Sequence, residues 1–284
     1  MAGQLRLDLA PGAGRSLIGQ GHLSGKDTSM PDARETLAIR YAVRSDIGLH
    51  RDDNEDRAYA GPRLLAVADG MGGHAAGEVA SEAVIDVLRP LDVQIPAGEL
   101  LDVLADAVRR ASATLRAMAA TDPALEGMGT TLTALLWSGS QLGLVHIGDS
   151  RAYLVRDGEV FQITRDHTLV QTLLDDGKIT EAEMSSHPQR SLVLRALIAG
   201  RDGEADIQVR EARAGDRYLL CSDGLHEVAD AEAIARVLLT VHDPDQAATD
   251  LIALAIAGGG PDNVTCIVAD VVPAVATVPL PTVS

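Results

Sequence analysis

Aromatic residues make up only 2% of the 284-residue chain, with one Trp and one Phe. So few stacking platforms count against single-stranded nucleic-acid binding. The core must instead be built from Ala, Val, Leu and Ile. Basic residues are also in deficit: 24 Lys+Arg against 41 Asp+Glu leave a net charge of -17, the wrong sign for a nucleic-acid binder. Cysteine is nearly absent. Cys221 and Cys266 each lie in a strand-like apolar stretch and read as buried thiols rather than a disulfide or a metal pair, which fits a reducing cytosol. No apolar run approaches the roughly 20 residues that cross a bilayer, and residues 1–30 lack a signal-peptide core. The expectation is a soluble, cytoplasmic protein with no membrane span.

Apolar residues are plentiful at 46%, a globular value. Residues 1–37 are Gly-, Ser- and polar-rich without steady periodicity and read as a flexible leader; residues 273–284, with three prolines, read as a flexible tail. Between them, at 38–272, alternating strand patterns start at Ala38–Val43 and Leu64–Ala68. Two helices follow. Ala76, Val79, Ala80, Ala83, Val84, Val87 and Leu88 form one stripe of helical period, and Leu101, Leu104, Val108, Ala111, Leu115 and Met118 form another. Closely spaced strands come next at 131–137, 142–148, 151–156 and 159–163, the last two joined by the hairpin signal Asp157-Gly158. Connections this short demand antiparallel pairing. A polar, helical stretch covers about 166–200, with Thr180 and Glu183 spaced as a capping box. Strands return near 207–211 and 217–222, helices near 231–240 and 244–257, and a final strand at Val264–Val268. Strand groups followed by helix pairs, twice over, give an α+β class: two packed antiparallel sheets with helices outside.

Four aspartates share one kind of position. Asp69 follows LLAVA, Asp149 follows LVHIG, Asp223 follows YLLCS, and Asp262 precedes NVTCIV. Each sits where an apolar strand meets a turn with Gly nearby. Singly, each reads as a turn Asp. Together, four carboxylates at one rim repel unless cations neutralise them. Oxygen-only ligands select hard cations, so Mg²⁺ or Mn²⁺ is expected rather than Zn²⁺. A fifth acidic point, Arg51-Asp52-Asp53-Asn54-Glu55-Asp56, reads either as a solvated loop or as anion capture by Arg51 beside a metal site.

Ser45-Asp46-x-Gly48-x-x-Arg51-x-x-Asn54-Glu55-Asp56, Ala68-Asp69-Gly70-Met71-Gly72-Gly73-His74, Gly129-Thr130-Thr131, Gly148-Asp149-Ser150-Arg151, Ser222-Asp223-Gly224 and Gly260-Pro261-Asp262-Asn263-Val264-Thr265 together resemble the metal-dependent Ser/Thr protein phosphatases of the 2C class. The likeness is to the bacterial branch, near the actinobacterial phosphatases that oppose eukaryotic-like Ser/Thr kinases, and covers about 38–272. It implies a four-layer α/β/β/α sandwich of two antiparallel sheets flanked by helix pairs. It also implies hydrolysis of phosphoserine and phosphothreonine by direct attack of a metal-bridging hydroxide, reversing bacterial Ser/Thr kinase signalling. Implied partners are phosphorylated proteins, including Ser/Thr kinases and their substrates, and a monomer is expected.

The implied ligands of the two core Mn²⁺ or Mg²⁺ ions are Asp69, bridging, with Glu55 and the Gly70 carbonyl on one side and Asp223 and Asp262 on the other. A third ion, seen in bacterial members, would take Asp149, Asp223 and Ser191. Asp56 would hydrogen-bond metal-bound water as a catalytic residue, and Arg51 would bind the substrate phosphate. The segment 165–190 matches the family's flap. Two departures bear on chemistry. Met71 stands where many members carry a His proposed as leaving-group acid, and His74, three residues on, reads as structural, opening the helix at 75–90. After Asp223-Gly224-Leu225 the chain has His226-Glu227 where relatives have small polar residues, which alters the rim of the site. The resembled phosphatase continues into a membrane span and an extracellular portion; neither is read in this sequence, so a free-standing soluble form is the expectation. The competing class, a non-catalytic sensor or scaffold on the same fold, loses metal carboxylates; this chain keeps them. A stress-type phosphatase with a dedicated anti-anti-sigma partner would carry a fused sensor domain, and none is read here.

Overall fold

A computed structural model describes residues 37–72, 76–201 and 203–274. The chain runs β1 (Leu37–Asp46), β2 (Asp56–Ala60), β3 (Leu64–Met71), α1 (Ala76–Leu88), α2 (Leu100–Thr121), β4 (Gly129–Thr130), β5 (Leu132–Ser138), β6 (Gln141–Ile147), β7 (Arg151–Arg156) and β8 (Glu159–Gln162). It continues with α3 (Leu169–Asp175), α4 (Glu181–Ser185), β9 (Leu197–Ile198), β10 (Asp206–Glu211), β11 (Arg217–Cys221), α5 (Asp223–His226), α6 (Ala231–Thr240), α7 (Pro244–Ala257) and β12 (Val264–Pro273).

The strands form two sheets, ordered β1-β12-β11-β7-β8 and β10-β6-β5-β3-β4-β9, with β2 paired to β3. Every ladder among them is antiparallel. The run Leu64-Leu65-Ala66-Val67-Ala68 is apolar throughout because both of its faces are covered. Leu64, Ala66 and Ala68 pack under α1 and α2, while Leu65 and Val67 meet the opposite sheet. The layer between the sheets holds Leu135, Leu144, Leu220 and Ile267, with Trp137 set edge-on to Tyr218 at 5.6 Å. A third cluster seats α6 and α7 on β11 and β12 through Leu238, Leu251, Cys221 and Cys266. The result is the expected helix, sheet, sheet, helix stack.

Four departures from the sequence reading are local. The first strand starts at Leu37 and the last ends at Pro273, each one residue into the expected leader or tail. Residues 1–36, 275–284 and His74 lie outside the described residues. β2, whose charged first residues read as part of a loop, is a strand because it pairs residue for residue with β3, Asp56 opposite Asp69. The stretch at 166–200 is not continuously helical. It carries α3, α4 and β9, and its ends are tied by a bridge between Thr168 and Val193. The capping box at Thr180 and Glu183 is present with both of its bonds.

Antiparallel order fixes where the acidic residues lie. In one sheet Leu132, at the start of β5, faces Ile147 at the end of β6, while Val67 near the end of β3 faces Thr133. In the other, Cys221 at the end of β11 faces both Arg151 at the start of β7 and Cys266 near the start of β12. The ends of β3, β6 and β11 and the start of β12 therefore share one rim of the sandwich. Asp69, Asp149, Asp223 and Asp262 are the residues at those points.

Candidate functional site

Asp56 joins the two sheets at this rim. Its Oδ2 accepts a 2.6 Å hydrogen bond from Ser222 Oγ, and Ser222 Oγ in turn accepts from the Thr265 backbone at 3.0 Å. Its Oδ1 is buried and has no partner. Burial drives its pKa up to about 6, against the pull of the Ser222 hydrogen bond. Asp223 shows the same condition: Oδ1 is buried and unpartnered, and burial together with the charges of Asp149, Glu227, Asp262 and Asp56 holds its pKa well above the ordinary carboxylate value. Asp69 is raised by burial and by the charges of Asp223, Asp56 and Asp149. Asp149, 4% exposed, is pushed up to about 7 by burial and the facing Asp166.

Glu55 enters from the loop before β2. Asn263 holds that loop: its side-chain oxygen accepts from Glu55 N at 2.8 Å, and its amide donates to Ile47 O at 3.0 Å and Asp53 O at 2.9 Å. Burial raises the Glu55 carboxyl. Gly70 donates its N–H to Glu55 O at 3.2 Å. A Cβ at Gly70 would fall 2.2 Å from Gly77 O, so only glycine lets β3, the Glu55 loop and the start of α1 meet here. Thr130 Oγ1 donates to Asp69 O at 2.8 Å, and Asp69 N donates to Thr131 Oγ1 at 3.0 Å, fixing the backbone of the central aspartate. Gly48, at φ +80°, makes a comparable approach: a Cβ there would lie 2.3 Å from Asp262 O.

Arg51 is the exposed cation of the cluster. Its Nη2 pairs with Asp262 Oδ2 at 2.5 Å, and that hydrogen bond raises its pKa, with Glu55 and Asp69 adding to the effect. The structure thus brings Arg51, Glu55, Asp56, Asp69, Gly70, Asp149, Asp223 and Asp262 to one rim. Ser191 stands apart: it is exposed, and its hydroxyl donates at 2.6 Å to Glu227 Oε1. It reaches the cluster only through Glu227, whose charge bears on Asp149 and Asp223.

Sequence reasoning missed Ser222, Thr131, Asn263 and Glu227 as parts of the site. The first three are inside quoted motifs, and their polar side chains within apolar strand ends were the available signal. Glu227 was noticed only as an oddity of the rim. Its neighbour His226 bonds Asp149 O at 3.0 Å, and burial holds its imidazole neutral, down to about 3. The 165–190 segment is rooted beside the cluster. Arg151 forks onto Asp166, with the shortest contact at 2.6 Å, and His167 accepts from Gly148 N at 3.1 Å.

The donor set fits hard cations. It is all oxygen, it is over-supplied with negative charge, and two buried carboxylate oxygens wait without partners. Among the described residues no three Asp, Glu, His or Cys side chains close on a single point. One contact bears on this: Arg51 Nη2 occupies Asp262 Oδ2. No Cys/His ligand pattern competes, since Cys221 and Cys266 are both buried in the strands behind the rim.

The family model described as protein phosphatase 2C matches residues 44–254. The serine/threonine protein phosphatase PstP of Mycobacterium tuberculosis is 60% identical over 240 residues, which is 84% of this chain and 46% of that protein. The chain therefore spans about half the length of that relative. The serine/threonine phosphatase stp of Listeria monocytogenes is 33% identical, covering 80% of this chain and 94% of that protein. The crystal structure of the catalytic domain of PstP in complex with two manganese ions superposes with a TM-score of 0.79 at 57% identity, covering 84% of this chain and 100% of that one.

Proposed function

Since the chain belongs to the protein phosphatase 2C family, we propose that it hydrolyses phosphoserine and phosphothreonine in proteins at the carboxylate cluster of the sandwich rim. The observation that carries this reading is the pair of buried, unpartnered oxygens of Asp56 and Asp223 within a ring of carboxylates raised by burial and then by one another, beside an exposed arginine. Asp69 would bridge two Mn²⁺ or Mg²⁺ ions, with Glu55 and the Gly70 carbonyl on one side and Asp223 and Asp262 on the other. Asp149, Asp223 and Ser191 would serve a third, Ser191 after release from Glu227. When bound, such ions lower the pKa of a shared water and offset charge on the phosphoryl group.

The chain's own residues do the rest. Ser222 holds one oxygen of Asp56, leaving the other to take a hydrogen bond from the attacking water and aim it. Arg51 is surface-exposed and can turn its fork from Asp262 to the phosphoryl oxygens. Among the described residues no thiol is placed to form a covalent phosphoenzyme at the rim. Both thiols are buried, and burial pushes Cys221 up to about 12 and Cys266 upward as well. Ser222 and Thr131 spend their hydroxyls inside the rim.

Relatives named as Ser/Thr phosphatases support phosphoproteins as substrates and reversal of Ser/Thr kinase signalling as the role. Two free buried cysteines suit the reducing cytoplasm as its place. No helix among the described residues is long and apolar enough to cross a membrane. The test is hydrolysis of a phosphothreonine peptide and of p-nitrophenyl phosphate with Mn²⁺ and after chelation. Turnover with metal that disappears on chelation supports the reading; equal turnover in both conditions, or none with metal, rejects it.

A further inference from the structure

A second cationic site, built from none of the rim's carboxylates, lies at the edge of the sandwich where β8 and β10 are the terminal strands of their sheets. Between these edges is a cavity of about 390 Å³ whose lining includes Arg156, Arg165, Arg210, Gln208 and Phe161, with Asp206 also present but paired to Arg195 and His167. Three arginines on one cavity are unexpected in a chain of net charge -17. Arg156 forks onto Asp216, with both contacts at 2.7 Å, and Arg165 is held by Asp175. Arg210 is different. Among the described residues it makes no ion pair: one Nη donates to Ile163 O at 3.4 Å, and its Nε is buried with no partner. Of the three arginines that line the cavity, Arg210 is the one without a carboxylate partner. Burial and the neighbouring Arg156 charge both push the Arg210 guanidinium below the ordinary arginine value. A partly buried cation with an orphaned donor costs free energy unless a counter-ion completes it.

We propose that this cavity is an anion site in which Arg210, flanked by Arg156 and Arg165, takes a phosphoryl group, either free phosphate or phosphate carried on a small organic body. The other Nη of Arg210 can donate to a phosphoryl oxygen as the guanidinium stands, and a small turn of the side chain brings its buried Nε to a second one. Arg156 and Arg165 are paired with Asp216 and Asp175, so Arg210 supplies the uncompensated charge and its two neighbours supply donors that an entering anion can share. The volume falls in the range of small-ligand pockets, and Leu154, Phe161 and Ile163 supply an apolar wall for a carbon body beside the cationic one. The site is independent of the metal centre, sharing no residue with the ligand set proposed above.

That independence sets the experiment. In the full chain stripped of metal by chelation, the carboxylate rim repels dianions, so saturable phosphate binding reports on the arginine cavity. Titration calorimetry with inorganic phosphate and with phenyl phosphate, at low salt and pH 7.5, is expected to show one saturable site in the wild type. Arg210→Gln is expected to weaken it at least tenfold, while Arg51→Ala leaves it unchanged. Retained Mn²⁺-dependent turnover of p-nitrophenyl phosphate by Arg210→Gln shows that the variant is folded. Gln208→Glu, which offers Arg210 an internal partner, is the second variant and is expected to weaken binding equally. Tighter binding of phenyl phosphate identifies an organic phosphate as the occupant, and equal binding identifies free phosphate; either upholds the site. Absence of saturable binding in the wild type, binding indifferent to both cavity variants, or binding lost in Arg51→Ala overturns the proposal.

Discussion

At the scale of single residues, the rim is a set of carboxylates that oppose one another. Asp69, Asp149 and Asp223 are each raised by burial first and by a neighbouring carboxylate next. Removing one such charge from the metal-free protein relieves repulsion, whereas removing it from the loaded protein deletes a ligand. Asp223→Asn is therefore expected to leave the melting temperature of the chelated protein unchanged or higher. Losing a group that merely orients a ligand already costs 10–100-fold, so turnover with Mn²⁺ is expected to fall by about 100-fold or more. Thermal denaturation with chelator and steady-state hydrolysis with Mn²⁺ check the two halves. A variant with near-normal rate removes Asp223 from the ligand set. The four strand-end aspartates were legible in the sequence because Asp beside Gly after an apolar run marks a strand terminus. The partners that prepare them were not. Ser222 acts on Asp56 across a separation of 166 residues, and Asn263 on Glu55 across 208, so their roles exist only once the two sheets are in register.

At the scale of elements, Arg217 is the joint that matters most to the second helix pair. On β11, it forks onto Asp270 of β12 with its closest contact at 2.6 Å and donates to Leu238 O at 3.1 Å and to the carbonyls of Val241 and His242. One guanidinium thus satisfies the C-terminal carbonyls of α6 and ties that helix end to the sheet beneath it. Arg217→Met keeps the aliphatic stem but strands these carbonyls and leaves Asp270 with only its exposed partner Arg40. The expected loss is about 1–3 kcal/mol of stability, read by denaturant unfolding, with Mn²⁺-dependent turnover per folded molecule unchanged.

Helices and strands with strong periodicity were readable in advance, since their apolar stripes need no knowledge of partners. β2 was not: its opening residues are charged, and it becomes a strand by pairing with β3 and burying Asp56. The 166–200 stretch misled because its closure depends on Thr168 meeting Val193, and on Leu169 N and Leu194 N bonding to Leu192 O and His167 O at 2.9 and 2.7 Å.

At the scale of the whole molecule, the rim makes stability, pH and metal interdependent. A carboxyl whose folded pKa is raised contributes stability below its unfolded value near 4, and that contribution is lost as pH rises through the folded value. Asp56 loses it by about 6 and Asp149 by about 7. The buried imidazoles of His146, lowered to about 4, and His226, lowered to about 3, act oppositely, costing stability as pH falls below the unfolded value near 6.5. Between pH 6.5 and 8 the effect of the lowered histidines, His167 among them, offsets that of Asp149, and Asp69 and Asp223, raised well above the carboxylate value, tip the balance toward loss. The metal-free protein is therefore expected to melt lower at pH 8 than at pH 6.5. Cations bind deprotonated ligands and stabilise only the folded chain, so the rise in melting temperature on adding Mn²⁺ is expected to be larger at pH 8. An equal rise at both values removes the link between the raised carboxyls and the metal.

The central claim is that this rim is a metal centre organised on Asp69. Anomalous diffraction from crystals grown with Mn²⁺ tests it most directly. The account predicts two peaks about 4 Å apart, both within ligand distance of Asp69, one flanked by Glu55 and Gly70 O and the other by Asp223 and Asp262. Manganese density absent from Asp69, or confined to surface carboxylates away from the rim, would contradict it.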